Sequence, residues 1–366
     1  MIPSISIIKE RRLHEKRVIL TPSEVSKLSR WGCNVYVEHD SGILCGFTDD
    51  MYKKSGAEIV EQKEAWQCAD IALKFKAPLP FEYSFFTEKT VLGALFHAEG
   101  DYDLLKAMIK SKMTAYSFEY FETDDGFFPL AYPGGEIAGK SAVLYAAHYL
   151  QDHFKGKGKI LCNISGVSPP KIGIIGYGSV GSGAIALSVA LGCEVIVFGS
   201  NIAKLRKFQI NYGNQIKIVE STYENLDNII PSLDVLIGAI LISTFDTKPL
   251  VTKEMIKKME PGSVVIDVTC GYGLGYMPFI NGTTTFESPI QRIENINCIK
   301  IDMLPAAYHQ TTTAAYSANL LPYVFKLVKT VCYGEIDNTC NRGRIVSNGF
   351  IEHSEIKKHW NYYERN

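Results

Sequence analysis

The sequence has almost no net charge: 38 Lys and Arg stand against 39 Asp and Glu in 366 residues. A nucleic-acid-binding face needs concentrated positive charge, so that class of partner is not expected. The Lys-rich stretches 155–159 and 204–207 are short and read as solvated surface. Long apolar runs are also missing. The longest, Val235 to Ile242, is too short to span a bilayer and reads as a buried strand, so no membrane association is expected. The opening MIPSISIIKERR lacks the apolar stretch of a signal peptide. Nine cysteines, an odd number without C-x-x-C spacing or a Cys/His cluster, give no metal site and fit a reducing compartment. There is no internal repeat and no low-complexity tract. What remains is an ordinary globular chain, expected in the cytoplasm and long enough for two domains, each with its own core.

What is present is concentrated in residues 172–200, IGIIGYGSVGSGAIALSVALGCEVIVFGS. An apolar strand-like run (Ile172, Ile174, Ile175) leads into Gly176-Tyr177-Gly178-Ser179-Val180-Gly181. An Ala/Leu-rich helical pattern follows, then a second apolar run from Glu194 to Phe198. In this context G-x-G-x-x-G marks dinucleotide binding. Gly176 allows the sharp turn, Gly178 lets main chain approach a pyrophosphate, and Gly181 lets helix and strand pack closely. The helix N-terminus offers unpaired N–H groups and a positive dipole end to the phosphates. NAD-binding versions carry an Asp or Glu after the second strand to hold the ribose 2′-hydroxyl. Here Phe198 is followed by Gly199, Ser200 and Asn201. The missing acid favours NADP(H) over NAD(H), with Ser200, Asn201 and Lys204 available to a 2′-phosphate. The plainer reading makes Ser200 or Asn201 a helix N-cap.

Around this motif the pattern alternates between β and α. Strands are expected at 5–8, 34–38, 70–75, 90–95 and 113–118, and helices at 22–31, 48–55 and 102–111. Thr21-Pro22-Ser23-Glu24 opens the first helix with Thr as N-cap, Pro at the first position and Glu at the third. A long helix is expected over 136–154, and buried parallel strands near 216–219, 234–241 and 263–268. An apolar helix spans 314–328, and 344–359 returns to polar residues. The fold class is α/β: two Rossmann-like domains with parallel sheets and an interdomain cleft.

The first half supplies candidate chemistry. Lys76 follows a strand, His97 sits at the tip of another, and Arg17 lies just before the Thr21 cap. Strand carboxyl ends are where α/β sheets place ligand groups. Arg17 would grip a carboxylate with both arms of its fork, Lys76 would polarise a carbonyl or imine, and His97 would shuttle protons near neutral pH. Taken singly, Lys76 reads as a solvated strand end, His97 as a loop cap and Arg17 as a surface ion-pair partner.

These segments together resemble the alanine dehydrogenase, transhydrogenase and lysine-forming saccharopine dehydrogenase group. The resemblance rests on EKRVILTP (15–22), GFTDDMYKKSGAEIV (46–60), LKFKAPLP (73–80), LFHAEGD (95–101), EIAGKSAV (136–143), GYGSVGSGA (176–184), VLIGAIL (235–241), PGSVVIDV (261–268) and the block 301–323. It implies a discontinuous substrate domain (1–133 plus 305–366) and a dinucleotide-binding domain (134–304). It also implies Arg17 and Lys76 as the substrate-binding pair, His97 as the catalytic histidine, and Ala239 and Asp267 among the cofactor contacts. Three features depart from the alanine branch. Gly271 stands where alanine dehydrogenases carry a second Asp. Asp302-Met303-Leu304-Pro305 is closer to the Asp-His-Leu-Pro of saccharopine enzymes. Glu119 resembles an acid that there faces the amino-acid half. Against that branch, Lys76 is followed by Ala77 rather than Glu, and the alanine-type segment 129–140 is kept.

The leading expectation is therefore hydride transfer between a nicotinamide and an imine made from a keto acid and an amine or amino acid, as in saccharopine and opine dehydrogenases. Asp302 and Glu119 would orient the amine. Simple alanine-type deamination is the alternative, and a catalytically silent nucleotide-binding regulator the second. The expected partners are small molecules, with a homo-oligomer left open.

Overall fold

The computed structural model describes residues 2–240, 247–269 and 275–365. It divides into two compact units, Met1–Pro133 with Tyr308–Asn366, and Gly134–Ala307.

In the first unit, short runs rich in Ile, Val and Leu form β1 (Ser4–Ile7), β2 (Asn34–Glu38), β3 (Ala57–Val60), β4 (Ile71–Lys76), β5 (Val91–Leu95) and β6 (Thr114–Ser117). All pair in parallel, in the order β3-β2-β1-β4-β5-β6. That is the doubly wound order, which reverses direction between β1 and β4. The second unit repeats it with β7 (Lys171–Ile175), β8 (Glu194–Gly199), β9 (Ile216–Glu220), β10 (Val235–Gly238), β11 (Val264–Asp267), β12 (Gln291–Ile293) and β13 (Ile296–Ile299). Its order is β9-β8-β7-β10-β11-β13, with β12 antiparallel at the edge. The chain then returns to the first unit. There β14 (Arg344–Ser347) and β15 (Phe350–Ile351) extend the sheet antiparallel beyond β6. No helix of the described residues is long and apolar enough to cross a membrane.

Three local expectations are corrected. Thr21 precedes helix Pro22–Trp31, but its side chain does not cap a backbone N–H; the hydroxyl instead donates to the Glu24 carboxylate. The helix expected over 314–328 runs from His309 to Tyr333. It buries Tyr316, Leu320, Val324 and Leu327 in the same core as β1 and β4. The polar tail holds the β14–β15 hairpin and helix Ser354–Tyr363, whose single buried apolar side chain, Ile356, gives too little periodicity to read.

Candidate active site

The first unit gathers charged side chains at the carboxyl ends of its central strands. Arg17, in the segment after β1, is 4% exposed. Its Nε donates to Glu15 Oε1 at 2.6 Å, and its Nη2 donates to Glu15 Oε2. The guanidinium lies 4.3 Å from the centroid of Phe75 on β4, whose ring meets Tyr316 edge-on at 4.9 Å. Helix His309–Tyr333 holds this segment by its hydroxyls: Val18 N–H donates to Thr313 Oγ1 at 3.3 Å and Thr21 N–H to Ser317 Oγ at 2.8 Å. Burial pushes the Glu15 carboxyl up, but the hydrogen bonds and charge of Arg17, with Lys76 adding, hold it below its ordinary value. Arg17 thus already carries one bidentate partner in the protein, which the sequence did not reveal.

The two lysines of β4 differ sharply. Lys74 is fully buried, with Nζ 2.9 Å from Glu10 Oε2 and 3.7 Å from Glu82 Oε2. Glu10 Oε1 also accepts the N–H groups of Phe75 and Lys76 at 2.7 and 3.2 Å. Lys74 is thus a structural cation under the strand end. Lys76 is half-buried where the pairing of β4 with β5 slips.

His97 stands two residues beyond β5 in a left-handed turn, φ 47°. Its ring is solvent-exposed. The charge of Lys76 first, then burial, Arg12 and Arg17, bring its pKa down to about 3. Because the ring reaches solvent, the positive charges are the decisive cause, and the imidazole is neutral at physiological pH. Glu119 follows β6, and its Oε1 accepts the His97 backbone N–H at 2.5 Å. Burial, then the charge of Glu99, raise the Glu119 carboxyl to about 7. Glu119 is thus engaged with the histidine turn. Arg17, Lys76, His97 and Glu119 all lie in this unit. Asp302 does not: it is exposed in the second unit, just after Ile301. Gly271 lies outside the described residues.

The second unit offers bare main chain at its own reversal point. Gly176 has φ 102°, and a Cβ there would lie 2.5 Å from the Ala239 carbonyl oxygen. A Cβ on Gly181 would lie 2.1 Å from the Gly176 oxygen. A Cβ on Gly178 would meet nothing within 4 Å, so the turn is open where helix Ser179–Ala190 begins. That is the cradle a pyrophosphate needs, and these residues fit a dinucleotide. Ser179 and Val180 back the turn from the inside. Their Oγ and carbonyl oxygen would be 2.2 and 1.9 Å from Cβ atoms added to Gly135 and Gly139. At the end of β8, Ser200 and Lys204 are exposed, while Asn201 accepts the Lys204 N–H at 3.0 Å and so serves as N-cap. Tyr177 lies against Gly199, where a Cβ would meet its ring at 2.5 Å. Asp267 is fully buried, 2.9 Å from Lys300 Nζ. Burial raises its carboxyl despite Lys300. The side chain of Asp267, expected among the cofactor contacts, thus lies in the interior at the end of β11.

Two doubly wound sheets, one ending in an open glycine turn, define a protein of the dinucleotide-binding class. The comparisons narrow this. The family described as "Alanine dehydrogenase/PNT, N-terminal domain" matches residues 6–138, and "Alanine dehydrogenase/PNT, C-terminal domain" matches residues 142–354. The chain belongs to the alanine dehydrogenase/PNT family. It is 33% identical to an alanine dehydrogenase of Bacillus subtilis over 361 residues, 98% of this chain and 95% of that one. An alanine dehydrogenase of Methanococcus maripaludis is 32% identical over 324 residues, 88% and 87% of the two chains. A solved L-alanine dehydrogenase aligns with a TM-score of 0.89 at 28% identity, covering 98% of this chain and 99% of that one. A transhydrogenase from Sinorhizobium meliloti shares the fold, with a TM-score of 0.77 at 23% identity over 96% and 99% of the two chains.

Proposed function

We propose that the protein is an NAD(P)-dependent dehydrogenase that interconverts a small L-amino acid, alanine first among them, with its keto acid and ammonia. The observation that carries this reading is the meeting of Arg17, Lys76 and a neutral His97 at the strand ends of one unit. The relatives' names weigh in the same direction, and therefore against the opine-type condensation that the sequence put first.

A bound nicotinamide would supply the hydride acceptor; the chain's own residues do the rest. Gly176, Gly178 and Gly181 would hold the diphosphate against main chain. Arg17, anchored by Glu15 and Phe75, binds the substrate carboxylate. Lys76 polarises the carbonyl or imine carbon that exchanges hydride. His97 takes a proton from the substrate amine or attacking water during oxidation and returns it during reductive amination. Lys76 keeps the imidazole neutral, so the histidine starts oxidation as a base. At the adenosine end, an acid-free β8 terminus with Ser200 and Lys204 supports NADP(H) over NAD(H).

The test is a matrix of L-amino acids against NAD⁺ and NADP⁺, and of keto acids with ammonia or amino acids against the reduced forms. Oxidation of alanine, with no consumption of reduced cofactor by keto acid plus amino acid, is expected. The opposite pattern restores the opine reading, and binding without turnover on any pair leaves a silent nucleotide-binding protein.

A further inference from the structure

We propose that Glu119 is a positioning residue for His97 and that the neighbouring Glu99 controls whether Glu119 carries a proton. The positioning role rests on the dehydrogenase reading of His97; the control by Glu99 does not. A non-glycine residue keeps a left-handed conformation only when its surroundings hold it there. Two contacts hold His97. Its carbonyl accepts the Gly100 N–H at 3.2 Å, and its own N–H donates to Glu119 Oε1 at 2.5 Å. The second depends on strand register: β5 and β6 run in parallel with Ala94 opposite Ser117, which brings the residues just beyond each strand side by side.

The remaining oxygens are unusual. Oε2 of Glu119 and Oε2 of Glu99 are both buried without a hydrogen-bond partner. The groups that face Glu119 are Glu99 from the turn after His97, the Ser117 hydroxyl at the end of β6, and the Tyr316 phenol from helix His309–Tyr333. The strongest charge acting on it is that of Glu99, which repels. Burial and the charge of Glu99 together disfavour the ionised form of Glu119. Whether Glu119 carries a proton decides whether His97's N–H meets an anion or a neutral carboxyl.

The pair is tested on the full chain by pH-difference infrared spectroscopy, which reads the carbonyl stretch of a buried carboxylic acid. The wild type is expected to lose one such band near pH 7, the value to which Glu119 is raised. In Glu99→Gln the loss should move down by about one unit or more, because the repelling charge is gone. Absence of the band in the wild type, or an unchanged titration in Glu99→Gln, overturns the control of Glu119 by Glu99. The positioning role is read separately. Glu119→Ala should lower kcat by about tenfold or more, with cofactor Kd unmoved, and Glu119→Gln, which keeps an acceptor oxygen, should recover most of the loss. Equal kcat in the Ala and Gln variants overturns that role. The infrared result needs no turnover, so failure of the dehydrogenase reading would leave it intact and distinguishable.

Discussion

The two sheets have the same strand order and reverse at equivalent points, yet they furnish those points in opposite ways. The second unit presents glycines and a helix N-terminus; the first presents Arg17, Lys76 and His97 on a base of buried charge. A diphosphate is recognised by main-chain N–H groups, so side chains there are removed. In the proposed reaction, polarising a carbonyl and moving a proton would need side chains with charge and titratable nitrogen, which the first unit presents on a braced base. The frame is shared, and the chemistry follows from what stands on its strand ends.

The largest effect expected from breaking this contrast comes at the first unit's histidine. His97→Ala should lower kcat by about 10²–10⁴-fold while a cofactor titration stays unchanged. An undisturbed rate would remove His97 from the mechanism. Next come the buried cations beneath the strand ends. Lys74→Met strands Glu10 and Glu82 in the interior and should cost about 3–5 kcal/mol in urea unfolding. Lys300→Met should do the same to Asp267 in the other unit. A neutral result at Lys74 would mean that the network is not what braces β4. Smaller again is Gly178→Val. It fills space that is open in the protein alone, so folding should be spared while cofactor affinity falls by about tenfold or more. Normal binding would contradict the cradle.

The same contrast explains what could be read from the residues. The nucleotide turn lies in one contiguous stretch whose glycines have fixed mechanical roles, so 172–200 spelled out strand, turn, helix and strand. Helices 22–31 and 102–111 were equally plain, because their caps and apolar spacing are local. The first unit's site is assembled from four segments between residues 10 and 119 and walled by a helix that begins at His309. Nothing local links Glu15 to Arg17 as a bidentate pair, assigns Lys74 to Glu10, or turns Glu119 towards a backbone N–H. The burial of Asp267 was hidden for a similar reason, since its partner Lys300 lies on the segment after β13.

The finest expected effect lies at the adenosine end. Gly199 is where an acid would hold a ribose 2′-hydroxyl, but Tyr177 rests against it and donates its hydroxyl to the Asn201 carbonyl at 3.3 Å. An acid at 199 alone would have to displace that ring, because its Cβ would fall 2.5 Å from it. The informative variant is therefore the double change Tyr177→Gly with Gly199→Asp, which removes the obstruction and adds the carboxylate together. The new charge repels a 2′-phosphate and accepts from a 2′-hydroxyl. The ratio of kcat/KM for NADP⁺ over NAD⁺ should then fall by about tenfold, or ~1.4 kcal/mol. Gly199→Asp alone should weaken both cofactors without that shift. A wild-type preference for NAD⁺ would sink the phosphate reading and turn attention to Glu220, which stands in register with Gly199 on β9.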